Sequence, residues 1–333
     1  MIGQSISVYG AGSWGTALAI HLARLGHSVH LWGRNPEHVE RMRRQRENAR
    51  YLPGVELPDT LSPESDLAAV AQASYYHLVV IPSEHFREFL SRLQGELPEA
   101  YRLIWATKGI EHQTGMLLHE VVEEELGEDT SYAIVSGPTF AAEVARELPT
   151  AMSVAAHDTV LQQDVAALFH GLNLRMYTSD DVTGVELGGA VKNVLAIAAG
   201  ISDGLRFGAN ARAALITRGL AETMRLGAAM GANQETLMGL AGLGDLVLTC
   251  TDDQSRNRRF GLALGRGREA EAAMAEIGQV VEGAITAKSV MKLMASAEVE
   301  MPICTLVYRI LHEGLAPESA VHALLNRRLK AEY

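Results

Sequence analysis

The segment S-I-S-V-Y-G-A-G-S-W-G-T-A-L-A-I-H-L-A-R-L, Ser5 to Leu25, decides the fold of the amino-terminal half. Its first five residues have the apolar character of a buried strand, and the part from Thr16 onward is typical of an amphipathic helix closed by Gly26. A second apolar strand follows at Ser28 to Trp32. Strand, glycine-rich turn, helix and strand in this order predict a dinucleotide-binding βαβ unit.

Three glycines in the turn have separate expected roles in cofactor binding. Gly10 allows the tight turn, Gly12 lets the backbone approach a pyrophosphate, and Gly15 lets the helix pack close to the strand. The free N–H groups at the start of the helix then face the phosphates. A structural glycine turn is the alternative, but the flanking strands and helix favour a cofactor site.

Arg34 follows the second strand, where an NAD site usually has an Asp or Glu for the ribose 2′-hydroxyl. An arginine suits a 2′-phosphate instead, through a charge-assisted contact worth roughly 1.5–3 kcal/mol. We therefore expect NADP(H) to be preferred, with NAD(H) possible because Glu37 is close. A solvated loop arginine is the alternative interpretation of Arg34.

The pattern of strands and helices continues to about residue 180 and then changes. Almost no strand pattern is present after Asp181, so we expect a Rossmann domain over residues 1–181 and an all-α domain over 182–333. In the first domain, further strands are predicted at 77–81, 102–107, 132–135, 151–155 and 174–177, and further helices at 36–48, 66–73, 84–94 and 117–126.

The second decisive stretch is G-G-A-V-K-N-V-L-A-I-A-A-G-I-S-D-G-L, Gly188 to Leu205. Its apolar residues have helical spacing, and Lys192 is the one charge between Glu186 and Asp203. The helical neighbours of Lys192 are mostly small, so its ammonium is poorly hydrated and its pKa falls toward the range useful for proton transfer. In the alternative interpretation, the lysine stem lies along the helix and the head reaches water.

Several other residues are candidates for binding an anionic ligand. Lys108 follows a strand, and ligands of open α/β sheets bind beyond the carboxyl ends of strands. Gly137 and Thr139 lie where a helix begins, which favours anions. A surface lysine is the alternative for Lys108.

A glycine-flanked carboxylate and a basic cluster follow in the helical half. Asp245 lies in G-L-G-D, and S-R-N-R-R follows at residues 255–259. Together they can provide an acid that orients a hydroxyl and a clamp for a phosphate. A helix cap and a solvated basic face are the alternatives.

Composition limits the classes of function. The 333 residues carry a net charge of −11, which argues against nucleic acid as the main partner, so an anionic ligand must be held by local cations and N–H groups. We expect no membrane span and no signal peptide, because no apolar run approaches the length of a membrane span and the chain enters a strand at once. Cys250 and Cys304 have no metal-like spacing, so we expect no metal site and a reducing, cytoplasmic location.

The ordered set of motifs closely resembles the soluble, bacterial NAD(P)-dependent glycerol-3-phosphate dehydrogenases over nearly the whole chain. The motifs are G-A-G-S-W-G-T-A-L-A, A-T-K-G-I, S-G-P-T-F-A-A-E-V-A, A-V-K-N-V-L-A-I-A-A-G-I, L-I-T-R-G-L-A-E, G-L-G-D-L-V-L-T-C-T, S-R-N-R-R-F-G and V-V-E-G. The resemblance implies a Rossmann domain followed by a helical domain like that of 6-phosphogluconate dehydrogenase.

The resemblance also implies the activity and the residues that serve it. The reaction is reversible conversion of dihydroxyacetone phosphate and sn-glycerol 3-phosphate, which supplies phospholipid synthesis, and members are often homodimers. Lys192 is the implied proton donor or acceptor. The implied substrate contacts are Lys108, Gly137, Thr139, Lys192, Asp245, Ser255, Arg256 and Asn257. The implied cofactor contacts, beyond the glycine turn, are Ser13, Trp14, Arg34, Lys108, Ala141, Arg256, Val280 and Glu282.

Two other functions fit parts of the pattern. A hydroxyacid dehydrogenase with the same domain plan would bind a carboxylate substrate where we expect a phosphate. A non-catalytic NADP-binding sensor has no need for a lysine among small residues at the domain junction or for Asp245. The residues therefore favour an enzyme acting on a phosphorylated substrate.

Overall fold

The computed structural model describes residues 3–325, so the last eight residues of the expected helical domain lie outside the described part. The first half is one eight-stranded sheet with the order β3-β2-β1-β4-β5-β6-β7-β8. All neighbouring strands are parallel except β6 and β7, which are antiparallel. The strands are β1 (Ser5–Tyr9), β2 (Ser28–Trp32), β3 (Leu61–Glu64), β4 (Tyr76–Val79), β5 (Arg102–Trp105), β6 (Tyr132–Ser136), β7 (Thr150–Ala155) and β8 (Leu174–Ser179).

Helices cover both faces of this sheet. They are α1 (Ser13–Arg24), α2 (Pro36–Gln45), α3 (Leu67–Gln72), α4 (Phe86–Gln94), α5 (Leu118–Leu126), α6 (Ala141–Ala145) and α7 (Thr159–Phe169). One buried cluster packs α1 and α7 against one side of the strands, and a second packs α4 and α5 against the other. The predicted βαβ unit is confirmed, and the Asn35 side chain caps α2 by accepting from the His38 N–H.

Two elements of the sheet domain were not predicted from the sequence. No strand was predicted at β3, which contains Pro63, and its place at the sheet edge explains why a proline is tolerated there. The helix α7 was also missed. The predicted end of α2 at Asn48 was wrong, because Arg46 adopts a left-handed conformation with φ of 51° and ends the helix earlier.

The described part of the chain after β8 is helical, which confirms the predicted fold class. Its helices are α8 (Val182–Gly204), α9 (Gly208–Ala229), α10 (Gln234–Met238), α11 (Asp245–Thr251), α12 (Arg256–Gly265), α13 (Ala270–Ile277), α14 (Glu282–Ser296), α15 (Pro302–His312) and α16 (Pro317–Leu325). A π-helical turn at Leu240–Gly244 leads into α11. A third buried cluster forms around α8, which the other helices surround.

The helix α8 is long and apolar enough to cross a membrane by length and composition alone. By that measure the expectation that no apolar run reaches the length of a span was wrong. The same stretch is entirely buried within the protein. We therefore interpret α8 as the central helix of a packed core.

Glycines let α8 and α12 cross with their backbones in contact. A Cβ atom at Gly261 would lie 2.0 Å from the carbonyl oxygen of Ile197, and one at Gly200 would lie 2.1 Å from that of Arg258. Gly204 and Gly265 continue the contact toward the helix ends. Because each contact is with backbone, neither helix can yield by moving a side chain. The crossing therefore fixes α12 from Arg258 onward relative to α8.

We expect Gly261→Ala to destabilise the protein by about 1–3 kcal/mol, because the added methyl group forces the two helices apart. Urea unfolding followed by circular dichroism measures this change. Gly95→Ala is the matched control, since an added Cβ at Gly95 meets nothing within 4 Å and its φ of −70° suits alanine. Equal stabilities of the two variants would contradict the close crossing.

Candidate active site

Lys192 lies in the middle of α8, and its side chain is only 8% exposed. Its Nζ atom donates to Asp245 Oδ1 at 2.7 Å and to Thr249 Oγ1 at 3.0 Å. Burial lowers the pKa of Lys192 from 10.5 to about 8; the negative charge of Asp245 opposes this shift, and the positive charge of Lys108 adds to it. The amine is therefore poised to give or take a proton near neutral pH.

Asp245 joins two cations from opposite halves of the chain. Its carboxylate is fully buried, with Oδ1 accepting from Lys192 and Oδ2 accepting from Lys108 Nζ at 2.7 Å. The π-helical turn before it packs directly on α8, since a Cβ at Gly188 would lie 2.5 Å from the carbonyl oxygen of Ala241. Asp245 begins α11 but its side chain faces the lysines, so it acts as a bridge rather than only as a cap.

Lys108 reaches the cluster from the carboxyl side of β5, where the position rule for α/β sheets predicted a ligand-binding residue. Besides its bond to Asp245, its Nζ donates to the carbonyl oxygen of Gly137 at 3.0 Å. The Thr139 hydroxyl donates to the same carbonyl at 3.2 Å. The segments that follow β5 and β6 therefore contact each other and, through Lys108, the candidate catalytic residues of the helical half.

The start of α12 lies beside the same cluster. The Asn257 side chain donates to Asn193 Oδ1 at 2.9 Å and accepts from the Gly283 backbone N–H at 2.9 Å. Ser255 caps the helix by accepting from the Arg258 N–H at 3.2 Å. Since Asn193 follows Lys192 directly in α8, the Asn257–Asn193 hydrogen bond holds the S-R-N segment next to Lys192.

The glycine turn has the features that a dinucleotide pyrophosphate requires. Gly10 has φ of 121°, and a Cβ there would lie 2.2 Å from the carbonyl oxygen of Val80, whereas one at Gly12 would meet nothing within 4 Å. The first turn of α1 has no capping side chain, so its N–H groups remain available to an anion. A Cβ at Gly15 would lie 2.0 Å from the Gly10 carbonyl oxygen, so the tight approach of helix to turn needs glycine there. These residues fit a bound dinucleotide.

Two side chains of the helical half contact the sheet domain in this region. Gln279 Oε1 accepts from Ser13 Oγ at 3.4 Å and from Arg256 Nη1 at 3.3 Å. Ser83, at the carboxyl side of β4, donates to Glu282 Oε2 at 3.3 Å. The crevice expected to hold the cofactor therefore has polar contacts from both halves of the chain.

Glu282 begins α14 in this crevice and is partly buried. Burial raises its pKa from 4.5 to about 7; Glu84 raises it further, and Arg256 and the Ser83 hydrogen bond oppose the shift. Arg256 is itself partly buried, which lowers its pKa. A carboxyl group that titrates near neutral pH therefore lies among the predicted cofactor contacts.

The remaining predicted cofactor residues lie around this crevice or at its edge. Arg34 is exposed in the turn between β2 and α2, Ala141 begins α6, and Val280 is 37% exposed just before α14. Trp14 lies in the first turn of α1, and its indole N–H is buried with no hydrogen-bond partner among residues 3–325. We keep their contacts with the cofactor as predictions.

Sequence reasoning missed Gln279 and Ser83. Ser83 follows a predicted parallel strand, so the rule that identified Lys108 also applies to it. Gln279 is adjacent to the V-V-E-G motif, but nothing local marks it as a bridge, because its two partners are 266 and 23 residues away along the chain.

Comparisons with known proteins agree on one family. The model described as NAD-dependent glycerol-3-phosphate dehydrogenase N-terminus matches residues 5–162, and the corresponding C-terminus model matches residues 181–322. A protein of Thioalkalivibrio sulfidiphilus named glycerol-3-phosphate dehydrogenase with NAD(P)+ is 59% identical over 328 residues, covering 98% of each chain. One of the same name from Shewanella halifaxensis is 55% identical, covering 98% of this chain and 97% of the relative.

A solved structure supports the same grouping. The crystal structure of glycerol-3-phosphate dehydrogenase from Coxiella burnetii is 50% identical in sequence, with a TM-score of 0.95. The match covers 98% of this chain and 99% of that one. The similarity therefore extends across both halves of the fold and the crevice between them.

The raised pKa of Glu282 predicts a specific dependence of stability on pH. Between pH 4.5, the ordinary pKa of this carboxyl group, and about pH 7, Glu282 is protonated in the folded state and ionised in the unfolded state. The stability that this proton contributes is therefore complete below pH 4.5 and is lost as the pH rises through 7. Glu282→Gln should remove this slope and be relatively more stable at pH 8. The free energy of unfolding from pH 4 to 8 measures it. Glu276→Gln, on the exposed face of α13, should keep the wild-type slope; loss of the slope in both variants would assign it elsewhere.

Proposed function

The chain belongs to the NAD-dependent glycerol-3-phosphate dehydrogenase family, and we propose that it reversibly converts dihydroxyacetone phosphate and sn-glycerol 3-phosphate with a nicotinamide cofactor. The observation that carries this proposal is the buried Lys192–Asp245–Lys108 cluster at the meeting of the two halves. It combines a proton donor of lowered pKa with excess positive charge beside a dinucleotide turn. The product is a precursor for phospholipids.

When bound, the cofactor supplies or accepts the hydride at C2 of the substrate. In the reductive direction, negative charge builds on the carbonyl oxygen, and the Lys192 ammonium stabilises this charge and then donates a proton. Asp245 and Thr249 occupy two of the three N–H donors of Lys192. The third donor is left for the substrate oxygen. In the oxidative direction the neutral amine takes the hydroxyl proton.

The binding roles divide along the crevice. We propose that Lys108, Gly137, Thr139, Lys192, Asp245, Ser255, Arg256 and Asn257 contact the substrate. We propose that Gly10, Gly12, Ser13, Trp14, Gly15, Arg34, Lys108, Ala141, Arg256, Val280 and Glu282 contact the cofactor. The proximity of Lys108 to Asp245 and of Arg256 to Gln279 supports placing the phosphate and the nicotinamide end between the two halves.

We also propose the boundary of the two domains, the oligomer and the location. β8 ends at Ser179 and α8 begins at Val182, which supports domains of 1–181 and 182–333. The resemblance to the family supports a homodimer. Cys250 and Cys304 are both buried and free, which supports a reducing cytoplasm.

A direct assay tests the activity and the role of Lys192 together. The protein should oxidise NADPH when dihydroxyacetone phosphate is added, seen as loss of absorbance by the reduced cofactor. We expect Lys192→Ala to lower kcat by about 10²–10⁴-fold, because the acid–base group is lost. Binding of NADPH should be retained. Lys288→Ala, on an exposed part of α14, is the control. Near wild-type turnover of Lys192→Ala would remove this lysine from the chemistry.

The pH profile of the wild-type enzyme gives an independent readout for the same lysine. The reductive kcat should fall above a pH of about 8 as the ammonium is lost, and the oxidative kcat should rise through the same range. Equal profiles in both directions would contradict the assignment.

Arg34 tests the preference for NADP(H). We expect Arg34→Ala to raise the KM for NADPH about ten- to a hundredfold, because the contact with the 2′-phosphate is lost, and to change the KM for NADH little. Steady-state kinetics with both cofactors measures this. Arg44→Ala removes the same charge from the exposed face of α2 and should spare both constants. An equal change for both cofactors in Arg34→Ala would overturn the 2′-phosphate contact.

A further inference from the structure

Arg258 lies two residues after Arg256 but serves a different purpose. It is 8% exposed, and its guanidinium group donates to acceptors on three separate segments. Nε donates to the Cys250 carbonyl oxygen at 3.1 Å, Nη1 contacts Asp253, and Nη2 donates to Asp203 Oδ2 at 2.6 Å. Arg258 therefore ties together the end of α11, the loop before α12 and the last turn of α8.

Asp203 is shared with a second arginine. Arg212 on α9 donates to Asp203 Oδ1 at 3.0 Å and to Oδ2 at 2.9 Å. The carboxylate is only 11% exposed and lies between the two guanidinium groups. A buried ion cluster of this kind adds little net stability after desolvation, but it fixes the geometry of the elements that it joins.

The segment held by this cluster carries the candidate phosphate-binding residues. The loop before α12 has bonds within itself, where Asp252 accepts from the backbone N–H groups of Gln254 and Ser255. Ser255 then caps α12 through the Arg258 N–H. Farther along, α12 is fixed to α8 by backbone contact at Gly261. Loss of the ion cluster would therefore loosen the loop before α12 together with Ser255 and Arg256, while leaving the helix crossing intact.

We propose that Asp203, with Arg258 and Arg212, is a positioning residue that sets the affinity of the start of α12 for the substrate phosphate. The inference rests on the proposed function, because it assumes that Ser255, Arg256 and Asn257 hold this phosphate. Asp203 does not contact the substrate in this proposal. It acts through Arg258 and the loop that Arg258 anchors.

The sign of the effect separates positioning from simple electrostatics. Asp203 is negative, so removing its charge near an anion site would strengthen phosphate binding if only Coulomb attraction mattered. Loss of positioning would weaken phosphate binding instead. Asp203→Asn is therefore a sharper test than Arg258→Ala, in which lost charge and lost geometry act in the same direction.

The experiment compares Asp203→Asn with the wild-type full chain on two substrates. We expect the KM for dihydroxyacetone phosphate to rise about tenfold, the effect of weakening one or two charge-assisted contacts. We expect kcat/KM for unphosphorylated dihydroxyacetone, at saturating NADPH, to stay within about twofold, because it does not depend on the phosphate clamp. Asp203→Glu, which restores the charge, should recover part of the loss.

Glu147→Gln is the matched control, because it breaks the ion pair of Glu147 with Arg24 at 3.1 Å in the sheet domain. It should leave both constants unchanged. If Asp203→Asn does not fold, Arg212→Ala provides the test, since it removes the Nη1 contacts with both Asp203 oxygens from the more exposed side of the cluster, where the arginine is 31% exposed.

Binding of inorganic phosphate, measured by calorimetry, keeps the inference separate from the proposed activity. A weaker phosphate affinity in Asp203→Asn supports positioning even if the wild-type chain does not reduce dihydroxyacetone phosphate, a result that would overturn only the proposed function. An unchanged or stronger phosphate affinity overturns the inference. So does an equal loss of kcat/KM for the phosphorylated and unphosphorylated substrates, which would indicate a general disturbance of the fold.

Discussion

The Asp245 carboxylate between the Lys108 and Lys192 ammonium groups is the interaction on which the candidate site depends. One carboxylate neutralises only one of two cations, so the cluster keeps a net positive charge in a buried place. Such a cluster is costly to desolvate and is best completed by an anion. The same charge balance keeps the Lys192 pKa low, because burial and Lys108 together outweigh the opposing effect of Asp245. Ligand binding and proton transfer therefore arise from one arrangement of charges.

The fold supports this cluster by placing α8 at the centre of the helical half. Glycines bring the π-helical turn and α12 into backbone contact with it, at Gly188 on one side and Gly200 on another. Lys192 and Asn193 lie between these two contacts, so Asp245 and Asn257 approach them from elements whose backbones touch α8. The small residues around Lys192 have two effects: they exclude water from the ammonium, and they let the neighbouring backbones come close enough to supply its partners.

Local patterns in the sequence predicted the parts of this structure that depend on local chemistry. The βαβ unit follows from alternating apolar segments around a glycine turn, and the low pKa of Lys192 follows from its small helical neighbours. β3 was missed because Pro63 is unfavourable in a strand except at a sheet edge, and the edge is a property of the whole sheet. The pairing of Lys192 with Asp245 spans 53 residues, and that of Lys108 with Asp245 spans 137, so local patterns could name these residues but not join them.

Because the net charge of the chain is negative, anion binding must depend on groups close to the ligand. With −11 overall, the long-range field repels a phosphorylated substrate, and at physiological salt it is screened beyond about 8 Å. Attraction must then come from groups within that distance, and the groups proposed for this role are two lysines, the helix starts of α1 and α12, and Arg256. Acidic partners lie close to these cations and to the neighbouring Arg258: Asp245 beside the lysines, Glu282 beside Arg256, and Asp203 beside Arg258. The carboxylates therefore fix the positions of the cationic side chains. Affinity for an anion then depends on these positions as much as on the number of positive charges.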